Sequence, residues 1–193
     1  MRSVNVVRAS VLVADRARGW RRAAEGWSLS GVFHARTGFP ITVQQSEEYL
    51  GINLINAFRP DLMVGQPMWA PDPNSPGGRR LNPIAFLAVP PGVQGDMGRN
   101  VISGFGMEQL DLALSRDFRL SDRASFQVRA SAFNALNQAN FADPVKYLDS
   151  PLFGQSTSML NMMLGTGSPG SGLSPILQTG GARSFELGVR VRF

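Results

Sequence analysis

The stretch Ser184–Phe193, S-F-E-L-G-V-R-V-R-F, alternates without a break. Phe185, Leu187, Val189, Val191 and Phe193 fall on one parity, and Ser184, Glu186, Gly188, Arg190 and Arg192 on the other. A period of two is a β-strand with one apolar and one polar face. A tilted strand needs about nine to eleven residues to cross a bilayer, which is the length found here. Such a strand cannot stand alone in hydrocarbon, because its backbone groups must pair with further strands.

Three more segments carry the same period. In Trp27–Val43, the residues Trp27, Leu29, Gly31, Phe33 and Ala35 share one parity, and Thr37-Gly38-Phe39-Pro40 then bends the chain. In Glu108–Leu120, Leu110, Leu112, Leu114, Phe118 and Leu120 alternate with Asp111, Ala113, Ser115, Asp117 and Arg119. Arg116 alone breaks the apolar side, near enough to the strand end for its head to reach water. In Arg123–Leu136, Ala124, Phe126, Val128, Ala130 and Ala132 alternate with Ser125, Gln127, Arg129 and Ser131. Leu120-Ser121-Asp122-Arg123 is a tight turn that makes the last two segments a hairpin. Ser3–Val13 is a fifth, imperfect candidate strand.

The remaining connections are long. Gln44–Met107 holds P-D-P-N-S-P-G-G and V-P-P-G-V-Q-G-D-M-G, and Asn137–Arg183 holds G-T-G-S-P-G-S-G. They show turn chemistry without periodicity. Loops of about fifty to sixty residues are foreign to a compact soluble domain. They suit an outer-membrane β-barrel, whose periplasmic turns are short and outer loops long. With the last strand ending in the periplasm, both long connections fall outside and the 120–123 turn inside. The expected fold is all-β: about four or five antiparallel strands of an incomplete outer-membrane barrel, with two long extracellular loops.

Composition removes several function classes. Charged residues are 17%, below the usual quarter or so. With no Cys, neither a disulfide nor a thiolate metal site can form. The net charge is +5, yet the arginines are spread from Arg2 to Arg192, and the tightest group is only Arg16, Arg18, Arg21 and Arg22. That distribution is a solvated one, and no nucleic-acid partner is expected. No run of eighteen apolar residues exists, so no transmembrane helix is expected. The opening M-R-S-V-N-V-V-R-A-S-V-L-V-A-D-R is a poor signal peptide, interrupted by Asn5 and Arg8. Export requires a signal, so the true start is expected upstream, or the reading frame to be incomplete.

No catalytic constellation can be assembled, so no enzyme is expected. His34 is the only His and sits mid-strand on the polar parity, with Glu47 and Glu48 beyond the strand. Metal and cofactor sites are not expected either: Asp61, Asp72 and Asp96 lack calcium-loop spacing. Gly104-Phe105-Gly106 lacks the continuation of a phosphate loop. Asn134, Asn137 and Asn140, spaced by three between Phe133 and Phe141, suit backbone bonding where strand passes into loop, with ligand contact as the alternative.

A series of segments resembles the C-terminal part of TonB-dependent receptors, closest to the Oar-like group that carries a carboxypeptidase-regulatory-like domain at its N-terminus. These are G-W-S-L-S-G-V-F-H-A-R-T-G-F-P-I-T-V (26–43), R-P-D-L (59–62), L-N-P-I-A-F (81–86) and G-D-M-G-R-N-V-I-S-G-F-G (95–106). L-D-L-A-L-S-R-D-F-R-L (110–120), F-Q-V-R-A-S-A-F-N-A-L-N-Q-A-N-F-A-D-P (126–144), P-L-F-G (151–154) and the final strand complete it. The resemblance covers 26–193, while 1–25 match poorly. It implies a Gram-negative outer-membrane location and a 22-stranded barrel with a plug and a TonB box, of which this chain holds a C-terminal fragment that does not transport alone. It implies outer-membrane lipid and the barrel-assembly machinery as partners, with Leu187, Val189, Val191 and Phe193 as the assembly signal. In the full-length family the TonB system and an unknown ligand join them. A small β-rich surface or soluble binding module is the alternative.

Overall fold

A computed structural model describes residues 3–5, 26–49, 54–90, 92–121, 123–165 and 179–193, with the backbone alone at 3–5, 46–49 and 54–57. Five strands form one sheet: β1 (Ser3–Asn5), β2 (Trp27–Arg36), β3 (Met107–Arg119), β4 (Ser125–Phe133) and β5 (Ser184–Arg192). Their order in the sheet is their order in the chain, and every pair is antiparallel. The sheet is open, with β1 and β5 at its edges. This is the all-β, incomplete-barrel architecture that the alternation predicts. Of the weak candidate Ser3–Val13, Ser3–Asn5 pairs with His34–Arg36 and the rest lies outside the described residues.

The register decides which side chains share a face. Leu29 opposes Leu114, which opposes Ala130, which opposes Leu187. One row away, Trp27 opposes Arg116, then Val128 and Val189. Every apolar parity read from the sequence therefore lands on one side of the sheet. A one-residue slip at any ladder would turn that strand's apolar set to the wrong side. The face is bare: Leu114, in a central strand, is 41% exposed, and Leu187 on the edge is 83% exposed. In water a patch of this size is unstable, and in a bilayer it is the lipid-facing band.

Arg116 is held on this face by rings. Its guanidinium lies 4.8 Å from the Phe118 ring centre and 5.2 Å from that of Trp27. Phe118 in turn stacks on Phe126, with centres 4.4 Å apart. At the adjacent turn the backbone N–H groups of Leu120 and Ser121 donate to the Ala124 carbonyl, closing the β3–β4 hairpin.

The long connections differ from a loop reading. Together with Ile41 and Val43 just before the first of them, they fold into a cap at the other end of the sheet, whose core adds Leu81, Ala85, Phe86, Met97, Ile102 and Phe153. Its pieces are two-stranded ladders, such as Pro40–Ile41 with Ile102–Ser103 and Trp69–Pro71 with Arg79–Leu81, and short 3-10 turns. The two connections are tied to each other. The Gln44 N–H donates to the Lys146 carbonyl, Leu148 N–H to the Gln44 carbonyl, and Leu81 N–H to the Gly154 carbonyl.

The segments R-P-D-L and G-D-M-G close on one another inside this cap. Gly95 N–H donates to the Arg59 carbonyl and Met97 N–H to the Pro60 carbonyl. Asp61 Oδ1 accepts from Asp96 N–H, and Asp96 Oδ1 accepts from Leu62 N–H, both at 2.8 Å. Arg59 Nε donates to the Met97 carbonyl at 2.6 Å. A Cβ at Gly95 would sit 2.3 Å from the Pro60 carbonyl carbon, so only glycine permits the approach.

Two outcomes follow. Single cysteines placed at Val189 and Arg190 in this Cys-free chain, labelled in membranes with a water-soluble maleimide, should react at 190 and be protected at 189; equal labelling would sink the lipid-facing assignment. Met97, fully buried, should cost about 2–5 kcal/mol when changed to Ala. Urea unfolding followed by Trp69 emission measures it, and a loss below about 1 kcal/mol would mean that Met97 is not a core residue.

Candidate functional site

The polar face of the sheet and the inner surface of the cap meet where β3 enters and β4 leaves. β3 runs further toward the cap than β4 does, so its last backbone groups need other partners. Ala135 N–H donates to the Leu110 carbonyl at 2.7 Å. At Glu108 the Asn140 side chain takes over: its Oδ1 accepts from the Glu108 N–H at 2.9 Å, and its Nδ2 donates to the Glu108 carbonyl at 3.1 Å.

Asn134 forms a second knot. Its backbone N–H donates to Asp111 Oδ1, its Nδ2 to the carbonyls of Gln138 and Gly181, and its Oδ1 accepts from Gln138 N–H. It holds φ of 48°, a left-handed conformation that Asn tolerates better than most residues. Asn134 and Asn140 are each only 1% exposed, and their carboxamides are engaged by backbone groups. Asn137 is the turn residue between them, at φ 54°, with its N–H on the Asn134 carbonyl.

Gln109 extends the knot to the approach of β5. Its Oε1 accepts from Gly180 N–H at 2.7 Å, and its Nε2 donates to the Asp111 carboxylate. Alternation places Gln109 on the polar face, but its 2% exposure is set by the returning cap segment, which has no sequence signal.

Two concavities flank these knots. A cleft of about 550 Å³ lies between Arg36–Thr37, Gly106–Glu108 and Gln138–Asn140, at the outer end of the sheet. The Arg36 guanidinium lies over the Phe39 ring at its edge, 3.8 Å from the ring centre. Asp143 lies nearby; burial pushes its carboxyl above the usual carboxylate range, and Arg36 and Lys146 pull the other way. A smaller groove of about 230 Å³ runs down the polar face past His34, Asp111, Arg129 and Ser131. His34 opposes Gln109 across the ladder and faces this groove on the polar side. The backbone of Glu47 and Glu48 pairs in the hairpin Gln45–Tyr49 with Leu54–Phe58, and their side chains lie outside the described structure.

The other residues singled out in the sequence are dispersed. Asp61 is spent on the Asp96 N–H and Asp96 on the Leu62 N–H. Asp72 holds its own turn, accepting from Asn74 N–H and the Ser75 hydroxyl, and the latter bond holds its carboxyl below the usual range. Phe105 of the Gly104-Phe105-Gly106 run is buried between Trp69 and Phe141. Arg16, Arg18, Arg21 and Arg22 lie outside the described residues. Leu187, Val189 and Val191 lie together on the lipid-facing side of β5, and Phe193 follows the strand fully exposed. The arrangement offers polar walls, an outer cleft and fixed dipoles.

No curated protein and no solved structure matches the chain. The model of a family described as outer membrane beta barrel domain matches residues 9–162, and β5 continues the same sheet beyond that span. The match covers well over half of the 193 residues, and the bare apolar face supplies the physical reason for it. The chain belongs to the outer membrane beta barrel domain family, and its place is the outer membrane.

Proposed function

We propose that the chain is a barrel segment of a TonB-dependent receptor of the Oar-like kind, serving active uptake of a ligand across the outer membrane. One observation carries the reading. The short segments behind the resemblance lie far apart in sequence, yet L-N-P-I-A-F, G-D-M-G and P-L-F-G each supply residues to one cap core: Leu81, Ala85 and Phe86, Met97, and Phe153. R-P-D-L is zipped against G-D-M-G. A cap kept in this form over the outer mouth suits a receptor that must capture its ligand before passing it inward.

In this reading ligand recognition belongs to the cap and the outer cleft, and passage to the polar face. Energy from the TonB system would act on a plug domain, and the chain's own part is the wall and the mouth. In this reading the chain's part is transport rather than catalysis, and nucleic acid is not among its partners. Outer-membrane lipid covers the apolar face. Leu187, Val189, Val191 and Phe193 address the barrel-assembly machinery, which reads a strand edge carrying alternate apolar side chains.

Translation of the genomic sequence on the 5′ side of the Met1 codon tests the receptor reading; a plug domain and TonB box are expected there, in this frame or another, and their absence would count against it. The assembly signal has its own test. Replacing Phe193 with Ala should lower the membrane-assembled fraction in a purified assembly reaction, whereas an unchanged fraction would remove Phe193 from the signal.

A further inference from the structure

The groove on the polar face brings opposite charges to one concavity without letting them pair. Arg129, Ser131 and Phe133 of β4, Asp111 of β3, and Val32 and His34 of β2 all line its 230 Å³. Arg129 Nε donates to Ser131 Oγ at 3.1 Å, which draws the guanidinium toward the row of Ser131. Ser131 opposes Ala113, and Asp111 lies two residues further along β3, about 7 Å away. Among the described residues Arg129 makes no ion pair. Ala113, beside both charges, is a single methyl group, so the space between them stays open.

Both charges are positioned by the protein itself. Asp111 Oδ1 accepts from the Asn134 N–H at 2.8 Å, and both carboxylate oxygens accept from Gln109 Nε2. An ionised carboxylate has about four acceptor sites, so capacity is left for a further donor. Arg129 spends only Nε, and the two terminal nitrogens of its fork remain for an acceptor. Val32, opposite Asp111, and Phe133 supply an apolar wall. Glu186, exposed opposite Ser131, puts a second carboxylate on this face and disfavours a ligand that is only an anion.

We propose that this groove binds a zwitterion of the α-amino-acid class. Its carboxylate pairs with the terminal nitrogens of Arg129, in the planar geometry that a guanidinium fork favours. Its ammonium donates to Asp111, and an apolar side chain lies against Val32 and Phe133. An α-amino acid carries both charges on one carbon, so it spans a short gap between a fixed cation and a fixed anion. The volume is below the roughly 300–1,000 Å³ of pockets for drug-sized ligands and suits a single amino acid. As a station of uptake the groove rests on the receptor reading; as a binding site it does not.

The test is equilibrium dialysis of the full chain in dodecyl maltoside against tritiated L-leucine, with unlabelled competitors. Saturable binding is expected. Isocaproate, which lacks the ammonium, and isoamylamine, which lacks the carboxylate, should each compete at least about tenfold more weakly than leucine. R129Q and D111N should each weaken leucine binding about tenfold, since each removes one charge-assisted contact. R190Q, opposite Gln127 on the same face, should leave it unchanged. R129Q alters an exposed side chain, so the proposal stays testable should D111N disturb the Asn134 knot. Isocaproate competing as well as leucine, or R129Q binding leucine as tightly as the parent chain, overturns the proposal. Absence of leucine binding also overturns it, and leaves the receptor reading to its own test on the upstream sequence.

Discussion

Backbone hydrogen bonding in a medium without water is the constraint on which the rest of this structure depends. Each unpaired N–H or C=O in hydrocarbon costs several kcal/mol. β3 and β4 satisfy theirs by lying between neighbours along most of their length, and β2 is paired with β3 throughout and with β1 at His34–Arg36. Once pairing is forced, register has a single useful value, because only one alignment puts Leu29, Leu114, Ala130 and Leu187 in one row on the lipid side. The polar parity is then obliged to line the interior, and the Asp117–Gln127 and Arg129–Ser131 bonds are made there. Face, register and location are one consequence of one requirement.

The chain uses apolar side chains in two different solvents. In the sheet they are exposed and count on lipid for cover, so Phe185 at 74% exposure is no defect. In the cap they are buried by the chain itself, as Met97 and Leu81 are. The two sets do not substitute for each other. Burial of Leu81, Phe86 and Phe153 removes apolar area from water at about 25 cal/mol per Å² and stabilises the cap in the extracellular medium. The sheet's apolar face gains its share only on insertion. The cap's stability therefore does not depend on the membrane, whereas the sheet's does.

The same contrast explains what was legible in the sequence. Period-two alternation over about ten residues is a strong signal, and β2, β3, β4 and β5 fall where it places them. Arg116 was legible as the exception on the apolar parity, though not the rings that hold it. The cap was not legible, because ladders of two or three residues and 3-10 turns carry no period. Its core residues, Ile41, Leu81, Met97 and Phe153, are 16 to 112 positions apart and meet with the help of backbone clamps such as those between R-P-D-L and G-D-M-G and between Leu81 and Gly154. The three asparagines at spacing three read as equivalent, yet tertiary context separates them into two buried knots and a turn residue between them. Nothing in local sequence announces that Gly180 returns to Gln109.

The choice of Asn at position 140 shows how a strand can leave the membrane beside a partner that has already turned away. β4 ends at Phe133, while β3 reaches back to Met107 and would leave Glu108 with an unpaired N–H and C=O on that side. A carboxamide carries one acceptor and one donor group at the spacing of a peptide, so Asn140 can complete the ladder as a neighbouring strand would. An aspartate offers only acceptors when ionised and would meet the Glu108 carbonyl with like charge. An alanine would leave both groups buried and unpaired, at about 1–3 kcal/mol each. The side chain thus ends the sheet without a gap, and the segment from Gln138 to Ala142 is pinned above β3. That pinning sets one wall of the outer cleft, so the requirement that begins in the lipid also shapes the mouth that faces the outside.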